Sequence, residues 1–368
     1  MIAIVSSSHY PDDERIFHKQ IDSLIRAGFF VYYFTRSDKK LDLSSSFIKH
    51  KNFTKKIKIQ DYIKKVFNII CGIKDLSHIQ IHETELLPVF KLAKSLHNNP
   101  ITIYDVHENM EAIYRTFSTR IKPIKEIAIK IRQFEERRFL KYVDKIILAN
   151  PPISKNRYIK YRIQTTIIEN FPEIKYLQNS VESNIKNNMI IYHGHLAQER
   201  GIDILVKSMV DVVNFSPDTI LTLIGDFRTK IFEKQIYQLI QDLKLSKSIQ
   251  ILNQVPYVDI WSHLKQHNIG VIPFKNNHLT QENTPTKLFE MMAEGLKIVC
   301  SDVLPIRNFV ENSVCWASPG NILSLSKAII NVINTSDSCF MVEQNKQLVK
   351  EKYNWEIKKP EYISLFKS

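Results

Sequence analysis

Glu282-Asn-Thr-Pro-Thr-Lys-Leu-Phe-Glu290, continued by Met-Met-Ala-Glu-Gly295 and then Lys-Ile-Val-Cys300, is the stretch that decides the fold. Thr284 is a good N-cap and Pro285 suits a first helical position, so the spacing predicts a helix over 285–294. Gly295 is a natural stop, and the β-branched run after it reads as a strand. The segment is a loop, a helix and a strand in succession, the repeating unit of a parallel sheet with helices on its faces. The amino end of the helix opens into the loop between two strands. Its unpaired N–H groups and partial positive charge suit a diphosphate. Glu282 and Glu290 bracket that end, and carboxylates bind sugar diols well because each accepts two hydrogen bonds. The plainer alternative is a capped surface helix with two solvated acids.

The same alternation extends in both directions. Strands are predicted at Ile2–Val5, Phe30–Phe34, Ile79–His82, Ile101–Tyr104, Lys145–Leu148 and Thr166–Ile168, with helices at Ile16–Arg26, Leu86–Leu96 and Ile124–Tyr142 between them. A polar stretch around Gln178–Asn188 reads as a linker. Beyond it, strands are expected at Met189–His193, Ile220–Ile224, Ser248–Leu252, Ile269–Pro273 and Lys297–Cys300. Helices fit near Asp203–Phe215, Lys230–Leu243, Val258–Gln266 and Pro285–Glu294. Two similar α/β halves imply paired Rossmann-like domains facing across a cleft, with ligands at the loops that follow the strands. The expected division is 1–180, 181–350 and a final helix over 351–368.

The 368 residues suffice for two cores, with 44% apolar and 24% charged residues and no disorder signature. No apolar run reaches the roughly 20 residues that cross a bilayer. Met1-Ile-Ala-Ile-Val lacks the basic residues of a signal peptide and reads as the first strand, so a cytoplasmic chain is expected. The cysteines at 71, 300, 315 and 339 make no CxxC pair and no metal-ligand spacing. A net charge of +13 calls for an anionic partner: phosphorylated small molecules, an anionic membrane surface or nucleic acid. The basic residues are dispersed and match no nucleic-acid module, so nucleic acid is disfavoured.

An E-x7-E pair ahead of A-x-G and a strand resembles the donor-site motif of the retaining glycosyltransferases of family 4, which have the GT-B fold. The resemblance implies that Glu282 contacts the transferred sugar and that Glu290 binds the ribose. The backbone at Asn283, Thr284 and Thr286 would meet sugar and diphosphate, Pro285 having no N–H to give. Lys287 belongs to the P-x-K-L-F-E variant of polysaccharide-assembling members. Gly194-His-Leu-Ala-Gln-Glu-Arg-Gly201 is similar to the family's G-R-x-x-x-x-K-G element. There Arg200 stands for the lysine over the diphosphate, and His195 for the usual arginine. Gly225 ends a segment similar to L-x-G-x-G, and Val255 lies in a loop similar to the one that frames the nucleobase.

In the first half, His9-Tyr-Pro-Asp-Asp-Glu-Arg-Ile-Phe-His-Lys19 is similar to the family's H-x-x-x-D-x-R-I-F-x-K segment. It has no glycine cluster, which disfavours a dehydrogenase. Asp13, Arg15 and Lys19 either fix an acceptor loop or lace the start of a helix; His9 and His82 join them as acceptor candidates. His107, in a D-x-H, is placed by the resemblance beside the donor sugar. Tyr353-Asn-Trp-Glu356 is similar to the family's Y-x-W-E, which precedes a helix that crosses back to the first domain.

The resemblance implies a metal-independent transferase with no cofactor, consistent with the absence of any D-x-D. His107, Glu282, Arg200 and Lys287 would carry the chemistry. The donor would be a nucleoside-diphosphate sugar, uridine ranked before guanosine, and the acceptor a glycan or lipid-linked glycan in polysaccharide assembly. Lys55–Lys65 and Arg120–Arg138 mix cations with Ile and Phe, as helices lying on an anionic membrane do, and as ordinary basic faces do. Two alternatives share the fold: a sugar-nucleotide 2-epimerase and a non-catalytic partner subunit.

Overall fold

The apolar runs pair as parallel strands in two separate sheets. The computed structural model describes residues 1–367 except 42, 44, 108, 119, 151–157, 177–187, 311 and 336–341. Most of the expected linker and Cys339 lie outside the described residues. The chain divides into two units, Met1–Asn170 with Trp355–Ser368, and Phe171–Asn354.

The first unit runs β1 (Ile2–Val5), a π-helix (Glu14–Ile21), α1 (Asp22–Arg26), β2 (Val31–Arg36), β3 (Ile48–Phe53), α2 (Ile59–Ile70), β4 (His78–Ile81), α3 (Pro88–Ala93), β5 (Ile101–Val106), α4 (Met110–Phe117), α5 (Lys122–Leu140), β6 (Lys145–Leu148) and β7 (Gln164–Ile167). Its sheet is parallel, in the order β3-β2-β1-β4-β5-β6-β7. The period of two sends Ala3 and Val5 into one apolar cluster, with Ile63, Val66 and Phe90. Ile2 and Ile4 enter another, with Leu24, Trp355 and Tyr362. A strand buried on both faces is apolar throughout, which is why Ile-Ala-Ile-Val carries no alternation.

The second unit runs β8 (Met189–His193), α6 (Ile202–Phe215), β9 (Ile220–Ile224), α7 (Lys230–Asp242), β10 (Ile249–Leu252), α8 (Tyr257–Leu264), β11 (Ile269–Ile272), α9 (Thr286–Ala293), β12 (Lys297–Ser301), α10 (Leu304–Arg307), β13 (Cys315–Ala317), α11 (Ile322–Asn334) and α12 (Val342–Glu351). This sheet is also parallel, in the order β10-β9-β8-β11-β12-β13. Ile190 and Tyr192 point into one cluster and Ile191 into the other. Both sheets reverse their strand order beside their first strand, where open α/β sheets bind ligands.

The structure departs from the expectations in a few places. β3 (Ile48-Lys-His-Lys-Asn-Phe53) and β13 are edge strands, the first hidden by its polar content and the second by its length of three residues. The helix expected over Ile16–Arg26 starts at Glu14 and runs as a π-helix through Ile21. α9 starts one residue late, with extended Pro285 (φ −77°, ψ 119°) rather than Thr284 in the cap position.

α13 (Trp355–Ser364) belongs to the first unit. Its buried Trp355 donates from Nε1 to Ser23 Oγ at 2.9 Å, and Tyr362 OH donates to Gln80 Oε1 at 2.9 Å. Trp355→Ala removes a buried aromatic side chain and a hydrogen bond. It should lower the unfolding free energy by about 3–5 kcal/mol, measured by urea denaturation.

Candidate functional site

The strand-end loops of the second unit are tied together by their backbones. Gly194 N–H donates to Ile224 O at 2.8 Å, Leu196 N–H to Asp226 O at 3.0 Å, and Arg228 N–H to Leu196 O at 3.1 Å. The approach is so close that a Cβ on Gly225 (φ +146°) would lie 2.0 Å from the Gly194 carbonyl oxygen. Glycine is the residue that permits it. The Gly194–His195 turn thereby sits beside Arg228. Tyr192 OH reinforces the turn by donating to His195 O at 2.9 Å.

Cations gather around this turn. Lys287, in the first turn of α9, is buried, and its Nζ donates to Tyr192 OH at 3.2 Å. That Nζ lies so close above Gly194 that a Cβ there would come within 2.9 Å of it. Arg200 lies over the Phe274 ring at 4.8 Å, and Lys287 approaches the same ring at 5.7 Å. Arg228 pairs with Glu199 at 3.1 Å. The imidazole of His195 records the resulting field. Its pKa is pulled down to about 4, first by desolvation and then by Arg228, Lys287 and Arg200. Asp226 opposes the shift. His195 is neutral at pH 7 and sits where an anion would be attracted.

Glu290 lies on the buried face of α9, with its Oε2 3.4 Å from His193 Nε2. Burial, followed by Lys287, drives the His193 pKa well below its ordinary value, so this imidazole is neutral. Glu282 is half-buried before α9, and the Asn283 N–H is already given to Leu279 O at 3.1 Å. Half-buried Val255 packs against the apolar cluster beneath α8. Thr284 and Thr286 are both half-buried, before and at the start of α9. The unit thus holds, at its strand-order reversal, a helix amino terminus, a cationic turn and two carboxylates. That combination suits an anionic ligand carrying hydroxyl groups.

Residues 173–355 match the family described as glycosyl transferases group 1. The second unit is a group 1 glycosyl transferase domain. No curated protein sequence matches the chain. Among solved structures, sucrose-phosphate synthase from Thermosynechococcus elongatus is similar at 17% identity and TM-score 0.76, covering 100% of this chain and 98% of that one. The Anabaena protein HepE, in complex with UDP and glucose, is similar at 16% identity and TM-score 0.76, covering 99% and 98%. A trehalose-6-phosphate protein from E. coli bound with UDP-2-fluoro glucose follows at 11% identity and TM-score 0.72, covering 99% and 98%. At these identities the likeness is one of fold, the GT-B fold of two parallel α/β sheets with their helices. The chain is a glycosyltransferase.

In the first unit of the transferase, the histidines form a connected cluster behind β1, β4 and β5. Gln80 Nε2 donates to Gln20 Oε1 at 2.9 Å and to His82 Nε2 at 3.2 Å. His82 therefore carries its proton on Nδ1 and donates it to His107 Nε2 at 2.8 Å. Asp105 Oδ2 lies 3.5 Å from the first of these nitrogens and 3.4 Å from the second. Burial, then the repulsion a second protonated ring at His107 would exert, holds the His82 pKa well below its ordinary value. The His9 ring is centred 4.7 Å from that of His107, and its Nδ1 lies 3.1 Å from Asp13.

The remaining acceptor candidates face inward. Asp13 caps the π-helix, accepting from Arg15 N at 3.0 Å and Ile16 N at 2.9 Å. Burial works to raise its pKa, but His9 and the capping contacts hold it well below the carboxylate range. The wide turn of the π-helix puts Arg15, Lys19 and Gln20 on one buried face. Arg15 forks onto Asp105 at 3.0 and 3.3 Å and donates to Ile168 O at 2.8 Å; Lys19 donates to Asn170 Oδ1 at 2.8 Å. Asp13 thus caps the helix start, while Arg15 and Lys19 reach partners far along the chain.

Among the described residues, His82, Asp105 and His107 bring three ligating atoms within 4.8 Å of one another. The 2.8 Å gap between the nitrogens is spanned by one proton, and Asp105 is engaged by Arg15 and Gln20. These contacts make a hydrogen-bonded relay that a cation would have to dismantle. Sequence reading passes over Arg228 and His193. Arg228 follows the strand-end glycine by three residues, a spacing that no motif flags. His193 reads simply as the last residue of a strand.

Two outcomes test this geometry. By NMR, the His195 imidazole should titrate near 4 in the free enzyme and move upward when UDP is added, because a nearby anion favours the protonated ring. Asp105→Asn leaves the Arg15 charge buried without its partner. It should cost about 3–5 kcal/mol of unfolding free energy, read by chemical denaturation.

Proposed function

We propose that the enzyme is a retaining, metal-independent transferase of family 4. It would move a sugar from a nucleoside-diphosphate sugar, uridine before guanosine, to a glycan or lipid-linked acceptor in polysaccharide assembly at the cytoplasmic side of a membrane. The observation that carries this reading is the cationic turn, where Arg200, Arg228 and Lys287 surround His195 beside the amino end of α9. A diphosphate placed there would be met by positive charge on side chains and helix alike. Glu290 on the buried face of α9 would take the ribose hydroxyls, and Glu282 those of the sugar.

In this reading the bond from the anomeric carbon to the diphosphate oxygen breaks as the acceptor oxygen approaches on the same face. The acceptor proton passes to the departing phosphate oxygen. Arg200, Arg228 and Lys287 stabilise the charge that develops on the leaving group, the task a metal would otherwise perform. The transition state is oxocarbenium-like, as in glycoside chemistry generally. His107, on the family's pattern, supports the transferred sugar by hydrogen bonding rather than as a base.

The test is a thermal-shift screen against nucleoside diphosphates and their sugars with EDTA present. A ligand at 100 times its dissociation constant adds about 2.7 kcal/mol of stability. UDP should stabilise the enzyme without a divalent ion, and Glu290→Ala should abolish the shift. No shift with any nucleotide would overturn the reading in favour of a non-catalytic partner subunit.

A further inference from the structure

α5 presents apolar side chains on the face turned away from its own unit. Its inner face is fixed by buried Ile129, Glu136 and Leu140. Arg115 of α4 forks onto Glu126 at 3.1 Å through both Nε and Nη2, and Tyr158 OH donates to Glu136 at 2.8 Å. On the opposite side Ile124, Ile127, Ile131 and Phe134 are 49%, 58%, 54% and 67% exposed. Their spacing of three, four and three places them in one stripe along the helix. Ile121, 66% exposed, extends it at the amino end.

The charge around the stripe is predominantly basic, with exposed Glu135 the one acid beside Phe134. From Arg120 to Lys141 there are eight Lys and Arg against three Glu. An exposed apolar stripe rimmed by cations is what an interfacial helix presents to an anionic bilayer. We propose that α5 docks the enzyme on an anionic lipid surface, with the Ile and Phe side chains at the acyl boundary and the flanking cations among the lipid phosphates. This rests on the reading that the acceptor is lipid-linked, and it identifies the surface that meets the membrane. The other basic candidate, Lys55–Lys65, lacks such a stripe, because α2 buries Tyr62, Ile63, Val66 and Ile70 in the core. A second copy is the poorer occupant, since two such faces would oppose cations to cations. Among the described residues no helix is long and apolar enough to cross a membrane, so attachment here is by lying on the surface.

The test is co-sedimentation of the full chain with vesicles of phosphatidylglycerol and phosphatidylcholine, against vesicles of phosphatidylcholine alone. Binding should require the anionic lipid and fall as salt rises. The triple variant Ile127→Ser, Ile131→Ser, Phe134→Ser should bind about tenfold more weakly or worse. Lys64→Ser with Lys65→Ser should retain most of the binding. The thermal shift with UDP, measured on each variant, checks folding and keeps the two proposals apart. Undiminished vesicle binding by a triple variant that still responds to UDP would overturn the membrane role alone. A concentration-dependent dimer that the triple variant abolishes would assign the face to a second copy and overturn it as well.

Discussion

Where β8 and β9 end, two backbones meet with no room for a methyl group. The Gly225 Cα faces the Gly194 carbonyl so closely that a Cβ would stand 2.0 Å from its oxygen. Everything in the cationic turn follows from that approach. The pairing of 194–196 with 226–228 puts His195 beside Arg228, and the bare Cα of Gly194 makes space for the Lys287 ammonium. A side chain at Gly225 would push the loops apart, and one at Gly194 would displace the Lys287 ammonium. The parallel sheet makes the meeting possible, because it delivers adjacent strand ends to one edge.

The two units handle buried charge in opposite ways. In the first, Arg15 is neutralised within the fold by the carboxylate of Asp105, whose pKa is held low by Arg15 and then His107 against the upward pull of burial. Breaking such a pair is costly, so this centre acts as a rigid anchor for the β5 loop that carries His107. In the second, Arg200 lies over the Phe274 ring, and Lys287 lies against Tyr192 and Phe274. The His195 pKa is depressed first by desolvation and then by Arg228, Lys287 and Arg200. One unit buries its ion pair in the core, and the other gathers its cations at the strand-end loops.

The sequence made the strand–helix alternation legible because strands buried on both faces, such as Ile2–Val5 and Ile269–Ile272, are short apolar runs with unmistakable boundaries. β3 escaped because an edge strand carries Lys49, His50 and Lys51, which mask its period. The π-helix escaped because Glu14–Ile21 satisfies an ordinary helical pattern; its wider turn depends on Asp13 O accepting from both Phe17 and His18. At the site, α9 and its glycine stop were readable from local rules, whereas Arg228 and His193 matter only through neighbours distant in sequence. Local patterns encode elements, and the charge of a turn is a property of several loops at once.

The basic helices make the same point more sharply. α2 and α5 share a composition of Lys, Ile and Phe, and composition alone gives both the look of a membrane-binding segment. What separates them is which side of each helix the fold uses. α2 meets the sheet with its apolar side, so its lysines are left as a solvated rim. α5 turns Ile129, Leu140 and Glu136 inward, the last accepting from Tyr158, and carries a second apolar row of Ile124, Ile127, Ile131 and Phe134 outward. Inward hydrogen bonds of that kind are worth little in water and more where water is excluded. A helix with apolar side chains on two sides buries one row in the fold, and the cations along α5 specify an anionic cover for the other.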